Sequence, residues 1–225
     1  MLVLLLLVLI ACNRKPATTR GTTEMKPGPI VYVALGDSTG YGVGARNGGY
    51  VARLFKQVLE HRAESELVNL CVSGATTADV LRDQLKSGVE KSPDLVTLGI
   101  GINDIGHGLA IEEFAQNYEE ILTTLKHETE AEIVVTNIPD ISTAPRIPGP
   151  LRAEYQRQIE RFNERLEEIA RRHDVTIFDI FTVTCRELPS HPEYFSADGF
   201  HPSDDGYELW AQQMWPTLAQ IIGAN

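Results

Sequence analysis

Three side chains from opposite ends of the chain supply a hydroxyl, a carboxylate and an imidazole: Ser38 in Gly36-Asp37-Ser38, and Asp198 with His201 in Asp198-Gly199-Phe200-His201-Pro202. A serine hydroxyl is a weak nucleophile at neutral pH. It attacks a carbonyl carbon when a histidine takes its proton and a carboxylate fixes the tautomer of that imidazole. The order Ser, Asp, His offers one candidate for each role: Ser38 as nucleophile, His201 as base and Asp198 as the acid that orients it. The three-residue spacing of Asp198 and His201 makes them a local pair that one turn can align.

For these residues to meet, the segments that carry them must end at one edge of a common scaffold. Five apolar runs rich in β-branched residues, Ile30 to Leu35, Glu66 to Val72, Asp94 to Ile100, Glu132 to Ile138 and Val175 to Ile180, are continuous rather than alternating. That pattern suits strands of a parallel sheet covered on both faces. Between and after them lie segments of helical period: Tyr50 to Arg62, Thr77 to Lys86, Ile111 to Glu128, Leu151 to His173 and about Asp204 to Ile222. Five βα repeats with right-handed crossovers predict an α/β fold. The architecture is a three-layer α/β/α sandwich on a five-stranded parallel sheet of flavodoxin-like order 2-1-3-4-5. In such sheets the functional crevice lies at the carboxyl ends of the strands, beside the switch point between strands one and three. Gly36-Asp37-Ser38 follows strand one, Ser73-Gly74-Ala75-Thr76 follows strand two, Gly101-Ile102-Asn103-Asp104 follows strand three, and Asp198 to His201 precedes the last helix. The least regular stretches are Pro139 to Pro150 and Phe181 to Phe195.

Other chemistry-bearing residues read more plainly. Asp37 and Asp104 are expected to bond loop amides, as turn aspartates do. His61, His127 and His173 lie among charged residues in or after helices and are read as exposed; His107 and His191 are read as loop and turn residues. No histidine pair or carboxylate cluster has metal-ligand spacing, so neither metal nor other cofactor is expected. The glycines of Gly40-Tyr41-Gly42-Val43-Gly44 lack the spacing and the lysine of a phosphate loop. Trp210 and Trp215 read as core and edge residues.

A length of 225 residues, 43% of them hydrophobic and 23% charged, suits one domain with a sizeable core. The net charge of −11 is spread along the chain and argues against nucleic acid as a partner. Met1 to Ala11 is an apolar run too short to span a membrane and of signal-peptide core length. It ends in Leu9-Ile10-Ala11-Cys12, which resembles the bacterial lipoprotein signal. That resemblance implies a signal peptide over 1–11, lipidation of Cys12 at the mature N-terminus, a flexible tether over 12–29 and a domain over 30–225. The protein would then be exported, periplasmic or at the cell surface, and held to a membrane by its lipid. The strand order sets the segments of Cys71 and Cys185 at opposite edges of the sheet, so both are expected as free thiols.

The four blocks that follow the strands and precede the last helix resemble those of the GDSL, or SGNH, hydrolase superfamily, which carry a Ser, a Gly, an Asn and a His. Their counterparts are Gly36-Asp37-Ser38-Thr39, Asn69 through Ser73-Gly74, Gly101-Ile102-Asn103-Asp104 and Asp198-Gly199-Phe200-His201, with Thr39 where the family's name has leucine. The resemblance covers essentially everything from Ile30 onward. It implies a serine esterase acting on small acyl esters or lipids through an acyl-Ser38 intermediate. The oxyanion hole would comprise the Ser38 and Gly74 backbone N–H groups and the Asn103 amide. Lysophospholipase, acyl-thioesterase and carbohydrate acetylesterase activities are compatible with the same site, and an idle surface-binding module is the non-enzymatic alternative. Acyl length is expected to depend on the loops Ile105 to Ala110, Ile138 to Leu151 and Phe181 to Phe195, with Ile141 and Ile147 walling a small apolar pocket.

Overall fold

The computed structural model describes residues 25–224; Cys12 and the expected signal segment lie outside them. Strands β1 (Val31–Gly36), β2 (Glu66–Asn69), β3 (Leu95–Gly99), β4 (Glu132–Thr136) and β5 (Thr176–Phe178) form a parallel sheet in the order 2-1-3-4-5, as expected. Gly36 pairs in register with Gly99, and Gly99 with Thr136, so the carboxyl ends of β1, β3 and β4 are level. Loops leaving those three strands therefore start from one line.

Helices cover both faces. On one, Val33, Leu35, Val96, Leu98, Ile133 and Val135 pack with Phe114, Tyr118 and Ile121 of α6 (Ile111–Glu128) and with Ile159, Leu166 and Ile169 of α7 (Arg152–Arg172). On the other, Tyr32, Ala34, Leu95 and Val134 pack with α2 (Tyr50–His61) and α9 (Asp204–Ile222). Tyr50 and Trp210 stack with centroids 4.7 Å apart and tie α2 to α9, a geometry worth about 1 kcal/mol beyond the area buried. Alternation along buried strands thus serves two cores, which is why no strand reads as half-polar.

The remaining elements are short: α1 (Ser38–Tyr41), α3 (Thr77–Asp79), α5 (Ile102–Gly106) and α8 (Ile180–Glu187), and α4 (Leu85–Val89), whose Gly88 packs on Val33 and Leu35 of β1. A π-helical turn, Val80–Gln84, runs between α3 and α4. The stretch from Phe181 to Phe195, expected to be irregular, is mostly helical: Asp179 caps α8 by accepting from Thr182 N (3.0 Å), and Pro192–Tyr194 forms a 3-10 turn. The β-branched residues of α8 hid it from a periodicity reading.

Met25, Lys26 and Gly28 are bonded to the rest of the described chain. The buried Arg62 guanidinium donates to the carbonyls of Lys26 (2.6 Å) and Gly28 (3.1 Å) and, at the end of α9, to Ile222. Cys71 is a buried free thiol, as expected.

Candidate active site

The candidate nucleophile, Ser38, is held by the end of β1. Gly36 has φ +154°, and a Cβ there would lie 2.4 Å from Gly99 O, so the β1 and β3 ends approach as only glycine allows. Gln84, buried in the π-helical turn, grips the same residue through both of its backbone polar groups. Its Oε1 accepts from Gly36 N and its Nε2 donates to Gly36 O, both at 2.9 Å. Asp37 then caps α1, accepting from Thr39 N (2.9 Å) and Thr39 Oγ1 (2.8 Å). This is the structural role read from sequence. Burial pushes the Asp37 carboxyl up to about 6, against the Thr39 bonds and the attraction of His201. Ser38 occupies the first position of α1, and its N–H has no acceptor among the described residues.

The candidate base, His201, arrives from the start of α9. Ser203 caps that helix by accepting from Gly206 N, and an isolated bridge between Phe195 and Pro202, with Ser196 N donating to His201 O (2.8 Å), closes the preceding turn. Within the turn, Asp198 Oδ1 accepts from Ser196 Oγ, Phe200 N and His201 N at 2.8–2.9 Å, leaving Oδ2 for His201 Nδ1 at 2.6 Å. His201 Nε2 then stands 3.0 Å from Ser38 Oγ. Burial acts to raise the Asp198 carboxyl, but the bonds from His201, Phe200 and Ser196 outweigh it and hold it far below the usual carboxylate range. An ionised Asp198 keeps the Nδ1–H tautomer and leaves the Nε2 lone pair to accept from serine.

Opposite Ser38 lie Gly74 and Asn103. Gly74 has φ +82°, and the space a side chain would occupy is open. Asn103 Nδ2 donates one hydrogen to Ala75 O (2.9 Å), which fixes the amide and leaves its second hydrogen free. Buried Asp104 links the two loops, accepting from Thr77 N (3.1 Å) and Thr77 Oγ1 (2.5 Å), while Thr76 and Asp79 form a capping box at the start of α3.

Two cavities meet at Ser38, and Ile102, Phe200 and His201 line both. One is narrow, about 40 Å³, and apolar, walled by Pro139, Ile141, Ile180, Leu188, Leu209 and Trp210. The other is an open groove of about 320 Å³ containing Ser73, Gly74, Asn103, Arg146 and Tyr155. The structure thus brings Ser38, Asp198, His201, Gly74 and Asn103 together. Ile141 lines the narrow cavity as expected, whereas Ile147 packs against the core instead. His107 is exposed and lines neither cavity, and His191 is a turn residue bonded to Glu193. His173, expected to be exposed, is half-buried and bonded to Glu119. Gln84, Arg146 and Tyr155 were not singled out from sequence. Only the π-helical offset and the fold of the Pro-rich loop bring them to the site.

Comparison with known proteins bears on the family of the chain. The family model described as "GDSL-like Lipase/Acylhydrolase family" matches residues 34–209. Esterase TesA of Pseudomonas aeruginosa is 26% identical over 191 residues, covering 84% of this chain and 88% of that protein. An arylesterase of Vibrio mimicus is 24% identical over 148 residues, 66% of this chain and 67% of that protein. Among solved structures, a catalytic mutant of Axe2, an acetylxylan esterase from Geobacillus stearothermophilus, superimposes with a TM-score of 0.71 at 20% identity, over 88% of this chain and 96% of that one.

Proposed function

Since this chain belongs to the GDSL-like lipase/acylhydrolase family and is an ester hydrolase, we propose that it cleaves short acyl esters through an acyl-Ser38 intermediate, with His201 and Asp198 completing the triad. The observation that carries this reading is the unbroken path from Ser38 Oγ to His201 Nε2 (3.0 Å) and from His201 Nδ1 to Asp198 Oδ2 (2.6 Å). As Ser38 Oγ bonds to the acyl carbon, its proton passes to Nε2, and negative charge builds on the carbonyl oxygen. The N–H groups of Ser38 and Gly74 and the free Asn103 hydrogen receive that charge, each donor being worth about 3 to 4 kcal/mol of barrier. Collapse breaks the bond to the alcohol, which leaves with the proton from Nε2. Water then attacks the acyl-enzyme by the same route and returns Ser38 with the free acid.

Substrate orientation follows from the two cavities. The narrow apolar one takes the acyl chain and the open groove takes the alcohol, which favours short acyl groups over long lipid chains. The Leu9-Ile10-Ala11-Cys12 sequence supports export and lipid attachment at Cys12. Metabolic labelling with a clickable fatty acid, lost on Cys12→Ala, checks that assignment.

The test of mechanism is covalent labelling with a fluorophosphonate, combined with a p-nitrophenyl ester series. Wild type is expected to label on Ser38 and to turn over the acetyl and butyryl esters. Ser38→Ala is expected to lose labelling and about 10⁴-fold or more in kcat. A Ser38→Ala variant that labels or turns over like wild type overturns the assignment.

A further inference from the structure

We infer that the open groove is a subsite for an anionic group on the leaving alcohol, with Arg146 as its specificity-determining residue. The inference rests on the esterase reading above, which places the alcohol in this groove. Arg146 is held at the groove's edge by the site itself. Its N–H donates to Gly199 O (2.9 Å) inside the Asp198–His201 turn, and Pro145 Cβ closes over Gly199, where an added Cβ would sit only 3.1 Å away. The guanidinium lies over the Phe200 ring, 6.0 Å from its centroid, and Phe200 in turn meets the His201 ring edge-on at 5.2 Å. The charge is thus stacked one ring away from the catalytic imidazole.

Nothing in the groove neutralises it. Among the described residues Arg146 makes no ion pair, and no carboxylate lines the groove, although the chain as a whole carries −11. The nearby acids are committed elsewhere: Asp198 to His201, and buried Asp37 and Asp104 to Thr39 and Thr77. Tyr155 lines the same groove, and its hydroxyl has no partner among the described residues. Burial raises that hydroxyl above its ordinary value, so it stays protonated as a second donor. A planar guanidinium fork beside a neutral hydroxyl matches the oxygens of a carboxylate or phosphate, and it faces the side of Ser38 from which the alcohol departs.

The experiment measures kcat/KM for 4-butyryloxybenzoate and for 4-butyryloxyphenyl phosphate, each against the neutral methyl 4-butyryloxybenzoate, in wild type, Arg146→Ala, Arg146→Lys and Arg146→Glu. Dividing the anionic-to-neutral ratio of wild type by that of Arg146→Ala cancels the intrinsic reactivity of the phenols. That quotient is expected to be about 10 at low ionic strength and to shrink with added salt. Arg146→Lys should fall between the two, since it keeps the charge without the fork, and Arg146→Glu below Arg146→Ala. Whichever anionic substrate gives the larger quotient identifies the anion. Quotients within twofold of one for both substrates overturn the subsite while leaving the esterase intact. Failure of wild type to hydrolyse even the neutral ester overturns the esterase reading, and the subsite with it.

Discussion

Replacing Gln84 with leucine removes the amide that holds the last residue of β1, two positions before Ser38. Two buried 2.9 Å hydrogen bonds are lost, and their consequences differ. Gly36 O keeps a bond from Val72 N (3.1 Å), whereas Gly36 N has no other acceptor. An orphaned buried donor costs about 1–3 kcal/mol and the second bond about 1, so Gln84→Leu should lose about 2–4 kcal/mol of stability. Gln84→Glu has the same shape and sharpens the argument. Only a protonated carboxyl can both accept from Gly36 N and donate to Gly36 O, and burial also favours the neutral form, so the introduced group has a raised pKa in the folded state. The folded state then binds more protons than the unfolded one, and stability falls as pH rises from about 4.3 through the raised value, by about 1.4 kcal/mol per unit. Urea unfolding at pH 4.5 and pH 8, each variant against wild type at the same pH, reads both effects. Gln84→Leu should show the same loss at both pH values, and Gln84→Glu a small loss at pH 4.5 and a large one at pH 8. A wild-type midpoint for Gln84→Leu, or a pH-independent difference for Gln84→Glu, refutes the reasoning.

Asp37, raised by burial to about 6, stabilises the fold fully below about pH 4, and that contribution is lost as pH rises through 6. Asp37→Asn keeps a cap for Thr39 N, so its stability relative to wild type should grow by about 3 kcal/mol from pH 4 to pH 8 in the same unfolding assay; parallel curves would contradict this. Gly36→Ala places a Cβ 2.4 Å from Gly99 O and should yield little folded protein on gel filtration. Gly74→Ala meets open space, so it should fold with about 1–2 kcal/mol lost to its positive φ, yet hydrolyse p-nitrophenyl butyrate at least tenfold more slowly because the new methyl enters the open groove that Gly74 lines beside Ser38. Ile141→Ala should move the preferred chain of a p-nitrophenyl acyl series to longer esters, and Ile147→Ala should leave it in place, since only Ile141 lines the cavity.

Continuous β-branched runs such as Val96 to Leu98 made the sheet and its order legible, because a strand buried on both faces leaves no other pattern. The candidate triad was legible because Asp198 and His201 lie on one turn and Ser38 directly follows a strand. The oxyanion positions came from the resemblance, not from spacing. What escaped was positioned by departures from regular geometry. Gln84 reaches Gly36 only because a π-helical turn shifts the register of a helix that periodicity reads as ordinary. Arg146 sits in a segment whose prolines say only that it is not a helix, and its place is set by a bond to Gly199, 53 positions away. Helix α8 combines an aspartate cap with β-branched residues that favour extended chain, and its Ile180 and Val183 join the core cluster that holds Phe178 and Trp210.

The parallel sheet has a direction, and Arg62 gives that direction a practical meaning. It clamps the backbone of Lys26 and Gly28 beside the last turn of α9, at the amino edge of β1, whereas Ser38 stands past the carboxyl edge, about 20 Å further along six residues of strand. Whatever is joined ahead of Met25, whether a lipid, a solid support or a fusion partner, leaves from the far pole of the molecule. Attachment at that pole leaves the cleft at the opposite one unobstructed.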